Sequence, residues 1–172
     1  MKSRPTARIS RGATSPRSAV SRLSGIQRTW ESTLHALLLA LLPDGRLIVS
    51  TLGNISVTGA SGADEDLIVF TPATLGATTS GTWAMYFDGS DVGLSSTSNE
   101  DVNGMWVDAS GKIYLTTLGS FGVTGVSGDG SDIITCTPGS LGSTTTCTWA
   151  MYWDGSVQGF AGEVTDSVGI IP

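Results

Sequence analysis

The chain has 172 residues, 40% of them hydrophobic, and a formal net charge of -6. Its longest apolar run, 34–42, falls well short of the ~18 to 20 residues a bilayer-spanning helix needs, so no membrane span is expected. Lys2, Arg4, Arg8, Arg11, Arg17, Arg22 and Arg28 all precede the first acidic residue, Glu31; beyond them only Arg46 and Lys112 oppose 15 carboxylates, and a body of net charge about -13 is excluded as a nucleic-acid binder.

Residues 1–30 combine Arg, Ser, Thr, Pro and Gly with few apolar side chains. They cannot bury enough surface to offset their ordering entropy, so a disordered basic tail or leader is expected, with a transit-like leader or a polyanion-binding arm as its functional readings. The apolar run then follows in the manner of a signal peptide, but Pro43-Asp44-Gly45 stands where a small-residue cleavage site belongs. His35 is the only histidine and has no acidic or nucleophilic motif beside it, so neither a zinc site nor a catalytic triad is supported.

From Pro43 the sequence returns at an offset of 66, with about 26 identities over roughly 58 positions. Thr82-Trp83-Ala84-Met85-Tyr86-Phe87-Asp88-Gly89-Ser90 comes back as Thr148-Trp149-Ala150-Met151-Tyr152-Trp153-Asp154-Gly155-Ser156. A fixed period of this size marks a repeated structural unit. We place a first β unit at 31–108 and a second at 109–172, the latter including the start of a third at Thr165.

Each unit reads as four short strands. The first has Ala36 to Leu42, Leu47 to Leu52, Leu67 to Thr71 and Thr82 to Asp88; the second has Val102 to Val107, Ile113 to Leu118, Ile133 to Thr137 and Thr148 to Asp154. Asp44-Gly45 and Ser110-Gly111 support tight primed hairpin turns. The strands are apolar on both faces: Leu47 and Val49 oppose Ile48, and Trp83, Met85 and Phe87 oppose Ala84 and Tyr86. Antiparallel sheets covered on both sides and repeated in sequence are what stacked propeller blades require, so the expected fold class is all-β, two tandem four-stranded β-propeller-like units in an incomplete or oligomerising array.

The stretches Glu65-Asp66-Leu67-Ile68-Val69-Phe70-Thr71-Pro72, Trp83 to Leu94, and Glu100-Asp101-Val102-Asn103-Gly104 resemble propeller-like repeats of large, mostly uncharacterised bacterial exported proteins. The resemblance covers roughly residues 36–168 and implies an extracytoplasmic repeat array, secreted or on the cell surface, without a catalytic motif. The second copy departs from it with Val157 and Gln158 in place of Asp91 and Val92.

Cys136 and Cys147 bracket the loop between the third and fourth strands and are expected to form a disulfide, because an antiparallel hairpin brings such strand ends side by side. In the first copy the same positions hold Phe70 and Gly81, a ring opposite a residue without a side chain. Asp64, Glu65, Asp66, Asp129 and Asp132 lie in acidic loops and are the calcium candidates, since calcium takes six to eight oxygens; no other cofactor is implied. Asp88-Gly89-Ser90 and Asp154-Gly155-Ser156 read as turns, with Asp accepting backbone hydrogen bonds and Gly supplying positive φ. Trp83 and Trp149 are expected between sheets, with Trp153 beside them as the members of an alternative sugar-stacking platform. Thr79 to Trp83 is similar to the Asp-box turn of sialidase-like propellers but lacks its Asp, and no carboxylate pair is singled out for glycoside hydrolysis. Asn54-Ile55-Ser56 is a sequon.

The expected function is a non-enzymatic extracytoplasmic structural or interaction scaffold. Its expected partners are further copies of the repeat, in the same longer chain or as a homo-oligomer. A glycan- or calcium-binding module is the alternative, and a glycoside hydrolase-like propeller fragment the third.

Overall fold

In the computed structural model, residues 36–170 are described, apart from Ser96. The basic stretch 1–30 and His35 lie outside the described residues. Short runs of aliphatic, Thr and aromatic residues separated by Gly-, Asp- and Ser-containing turns form the strands of the first half: β1 (Ala36–Leu41), β2 (Leu47–Thr51), β3 (Ile55–Val57), β4 (Ala60–Gly62), β5 (Leu67–Thr74) and β6 (Ser80–Phe87). The second half carries β7 (Val102–Val107), β8 (Ile113–Thr117), β9 (Phe121–Val123), β10 (Val126–Gly128), β11 (Ile133–Ser140) and β12 (Thr146–Trp153). Each element of the second half begins and ends 66 residues after its counterpart, including the 3-10 turns Ser90–Val92 and Ser156–Gln158.

The fold is all-β, with two four-stranded antiparallel sheets ordered β1-β2-β5-β6 and β7-β8-β11-β12. Each is a meander interrupted once, where the small hairpin β3–β4 or β9–β10 leaves and rejoins it. All eight long strands stand where the sequence places them. β5 and β11 continue past Pro72 and Pro138, because a register shift between Pro72 and Thr74, and between Pro138 and Ser140, absorbs the residue that cannot donate to the ladder. The first turn of each sheet differs from the expected primed dipeptide. Gly45 donates to the Leu42 carbonyl while Leu42 donates to that of Arg46, a three-residue loop closed by Gly45 at φ 87. Residues 163–170 form no regular secondary structure; Thr165 is tied by its N–H to the Gly130 carbonyl.

The registers sort the side chains into rows. On the first sheet Ala40, Ile48, Val69 and Ala84 line one face, and Leu41, Leu47, Phe70 and Trp83 the other. On the second sheet Val107, Ile113, Cys136 and Trp149 form one row, and Trp106, Tyr114, Thr135 and Ala150 the opposite one. The core takes Ala40, Ile48 and Val69 from the first sheet but Val107, Ile113, Cys136 and Trp149 from the second. These are not equivalent faces. Subtracting 66 from the second set gives Leu41, Leu47, Phe70 and Trp83, the face of the first sheet that the shared core leaves out. The two sheets therefore stack front to back.

Five cross-sheet hydrogen bonds fix that stacking. Ser50 donates its hydroxyl to the Val102 carbonyl (2.6 Å), and Gly142 its N–H to the Tyr86 carbonyl (2.8 Å). Asp88 donates its N–H to the Thr145 hydroxyl, Thr145 its N–H to the Asp91 carboxylate (both 2.9 Å), and Trp149 its indole N–H to the Val92 carbonyl (3.3 Å). Trp149 packs edge-on against Phe87 at 6.4 Å between the sheets, as expected. Trp83 does not share that environment: it lies against Phe70 (4.8 Å) on the face outside the shared core, where no second sheet among the described residues packs on it.

Candidate functional site

Two turns in each half meet through one buried carboxylate. Asp66, leading into β5, accepts the N–H of Ala63 (2.7 Å) on one oxygen and that of Gly89 (2.8 Å) on the other. Asp132 repeats this with Asp129 and Gly155 (both 2.9 Å). Both oxygens of each are spent on backbone N–H groups, which locks the β4–β5 turn to the turn after β6 and its counterpart in the second half. Asp88 and Asp154 cap those turns, each accepting from a serine hydroxyl two residues on, at 2.6 and 2.7 Å. The glycine in Asp-Gly-Ser has a different reason from the expected one. Gly89 has φ -68 and Gly155 φ -70, open to any residue, but a Cβ there would collide with the Glu65 or Ser131 carbonyl. Close approach of the two turns demands Gly, not handedness.

The acidic loop 64–66 has unusual protonation. Burial pushes the Glu65 carboxyl up to about 7, helped by a hydrogen bond with Asp64 and the charge of Asp66. Asp101, just before β7, is pushed up to about 6 by burial and by Asp64, and its Oδ1 has no hydrogen-bond partner. Burial also raises Asp66, against its two backbone hydrogen bonds. Of the calcium candidates, Asp64, Glu65 and Asp66 lie on the β4–β5 turn and Asp129 and Asp132 on the β10–β11 turn. Among the described residues no three His, Cys, Asp or Glu side chains are gathered as metal ligands. Asp101 was not singled out as a site residue; its only sequence signal is the Glu-Asp pair preceding an apolar strand.

A cleft of about 470 Å³ opens where β1 and β7 end, lined by Leu41, Pro43, Trp106, Val107 and Asp108 among others. Asp108 is its one titratable side chain, and its Oδ1 is occupied by the Ser110 N–H and hydroxyl and the Lys112 N–H. Cys136 and Cys147 are disulfide-bonded with Cα atoms 5.2 Å apart. They are diagonal, not directly opposite, since Cys136 faces Trp149 and Cys147 faces Pro138. At the corresponding place in the first sheet a Cβ on Gly81 would strike the Phe70 ring, so the ring fills the volume that the bridge occupies in the second.

Two sheet faces lie outside the shared core. Leu39 on the first sheet is 66% exposed whereas its counterpart Met105 is 3% exposed. On the second sheet Trp106, Tyr114 and Tyr152 form edge-to-face pairs at 5.5 and 4.9 Å, and Tyr152 is 51% exposed. Comparison with protein-family models, curated proteins and solved structures returns no match. No helix among the described residues is long and apolar enough to cross a membrane, and this says nothing of a β-barrel.

Proposed function

We propose that this chain is a non-enzymatic, extracytoplasmic β-repeat module whose propeller-like blades serve as a structural or interaction scaffold. The observation that carries this reading is the front-to-back stacking of the two sheets, which uses a different face of each and leaves an apolar face at both ends. A stack of this kind is extensible by construction, as repeat arrays are. The acidic side chains support the same reading, because Asp66, Asp132, Asp88, Asp154 and Asp108 work as turn anchors. The Cys136–Cys147 bridge supports an oxidising compartment.

Thermal unfolding with millimolar calcium and across a glycan panel tests the scaffold reading, with unchanged midpoints expected. A saturable rise with either ligand would replace it with the ligand-binding alternative. Thiol alkylation of protein recovered from its native compartment tests export: no label is expected without reductant, and two labels would remove the support for it.

A further inference from the structure

The 66-residue equivalence lets each uncovered face be compared with a covered one of the same kind. Leu39, Leu41, Leu47 and Val49 on the first sheet correspond to Met105, Val107, Ile113 and Leu115, all in the core between the sheets. At the other end, Tyr114, Tyr152 and Phe160 correspond to Ile48, Tyr86 and Leu94, which form the opposite wall of that core. Phe160 is 51% exposed and Leu94 only 1%. One end of the molecule is thus a socket of the kind filled inside the chain, and the other end is the kind of surface that fills it.

We propose that the uncovered face of the second sheet docks onto the uncovered face of the first sheet of another copy of this chain, head to tail, reproducing between molecules the internal front-to-back contact. This rests on the scaffold reading and names its partner. The polar groups follow the same equivalence. Trp149 donates to the Val92 carbonyl, so the Trp83 indole of one copy meets the Gln158 carbonyl of the other. Gly142 donates to the Tyr86 carbonyl, so Gly76 meets that of Tyr152. A buried hydroxyl gives independent support. Thr116 corresponds to Ser50, whose hydroxyl donates to Val102, yet the Thr116 hydroxyl has no partner although it is 1% exposed. The docked copy supplies the Ala36 carbonyl there. Ser167, against Gly104, corresponds to Asp101 and covers this corner of the face, so docking of β1 requires the segment that follows it to be displaced.

One contact is missing. Asp91 accepts the Thr145 N–H inside the chain, but its counterpart is Val157, which has no acceptor for the Thr79 N–H of the docked copy. The intermolecular contact is therefore weaker than the internal one, and association is reversible. Being heterologous, it builds rings or filaments in place of a two-fold dimer.

Sedimentation of the full chain over roughly 1 to 200 µM tests this, with mass rising with concentration expected; a monomer throughout overturns it. Leu39→Asp and Tyr152→Asp each spoil one exposed face, and circular dichroism checks that both variants stay folded. Each variant alone should be monomeric, and an equimolar mixture should form a one-to-one dimer through the intact face of each. Self-association of either variant alone, or a mixture that stays monomeric, overturns the head-to-tail arrangement. Val157→Asp should tighten association roughly 3- to 10-fold by restoring the missing acceptor, and unchanged affinity overturns the assigned register. The ligand screen above bears on the scaffold reading alone, so a chain that binds no ligand and remains monomeric loses only this inference.

Discussion

Asp66 and Asp132 show how a single carboxylate can replace a stretch of hydrophobic packing. Each bridges two turns, and the buried N–H of Gly89 or Gly155 would otherwise be an orphan. Asp132→Asn turns an NH2 group toward one of those donors and should lower stability by about 1 to 3 kcal/mol, measured by urea unfolding. The protonation of Glu65 and Asp101 sets the pH response. Their folded values, about 7 and about 6, stand above the ordinary 4.5 and 3.8, so the folded state binds these protons more tightly than the unfolded chain. Their contribution is full below about pH 4 and is lost as pH rises through 6 and 7. Urea midpoints should therefore fall from pH 5 to pH 8, and Glu65→Gln should flatten the slope; a midpoint that rises over this range would refute the assignment. Asp108 and Asp154, held low by Ser110 and Ser156, act in the opposite sense only in more acidic solution.

Among the elements, the long hairpins β5–β6 and β11–β12 share a backbone and differ in filling. Reducing the Cys136–Cys147 bridge, or replacing both residues with Ser, frees an 11-residue separation and should cost about 3 kcal/mol in the chain-entropy model. The first hairpin has no such dependence, but Gly81→Ala there must displace the Phe70 ring or the backbone beside it. The eight long strands were legible in the sequence because both-face apolar runs and Gly-containing turns leave little choice. The β3–β4 and β9–β10 hairpins were not, since three-residue strands such as Ile55-Ser56-Val57 carry too short an alternation to distinguish from a loop. Val57-Thr58-Gly59 and its copy stand at their turns, with Gly59 at φ 99. The disulfide was legible because an antiparallel hairpin brings Cys136 and Cys147 close together, whereas the diagonal register was not, because the bulge at Pro138 shifts the pairing. The role of Gly89 was also hidden: nothing local announces a carbonyl brought in from Glu65.

For the whole molecule, repeat equivalence in sequence does not mean equivalence in environment. Trp149→Ala should cost about 3 to 5 kcal/mol, because it empties a site between sheets and removes a cross-sheet hydrogen bond. Trp83→Ala should cost distinctly less in dilute monomer, where Trp83 lies against Phe70 outside the core between the sheets, and equal losses would contradict the asymmetry. The sheet topology also bears on how the chain reaches this state. Each four-stranded sheet is complete within one continuous stretch, 36–87 or 102–153, while contacts such as Ser50 to Val102 join the two only afterwards. Pairing between near neighbours in sequence closes short loops at small entropic cost. Either half can thus nucleate by itself and offer a ready template to the other, which would leave the cross-sheet contacts as the last to form and the first that an amide-exchange experiment sees lost, at Gly142 and Thr145.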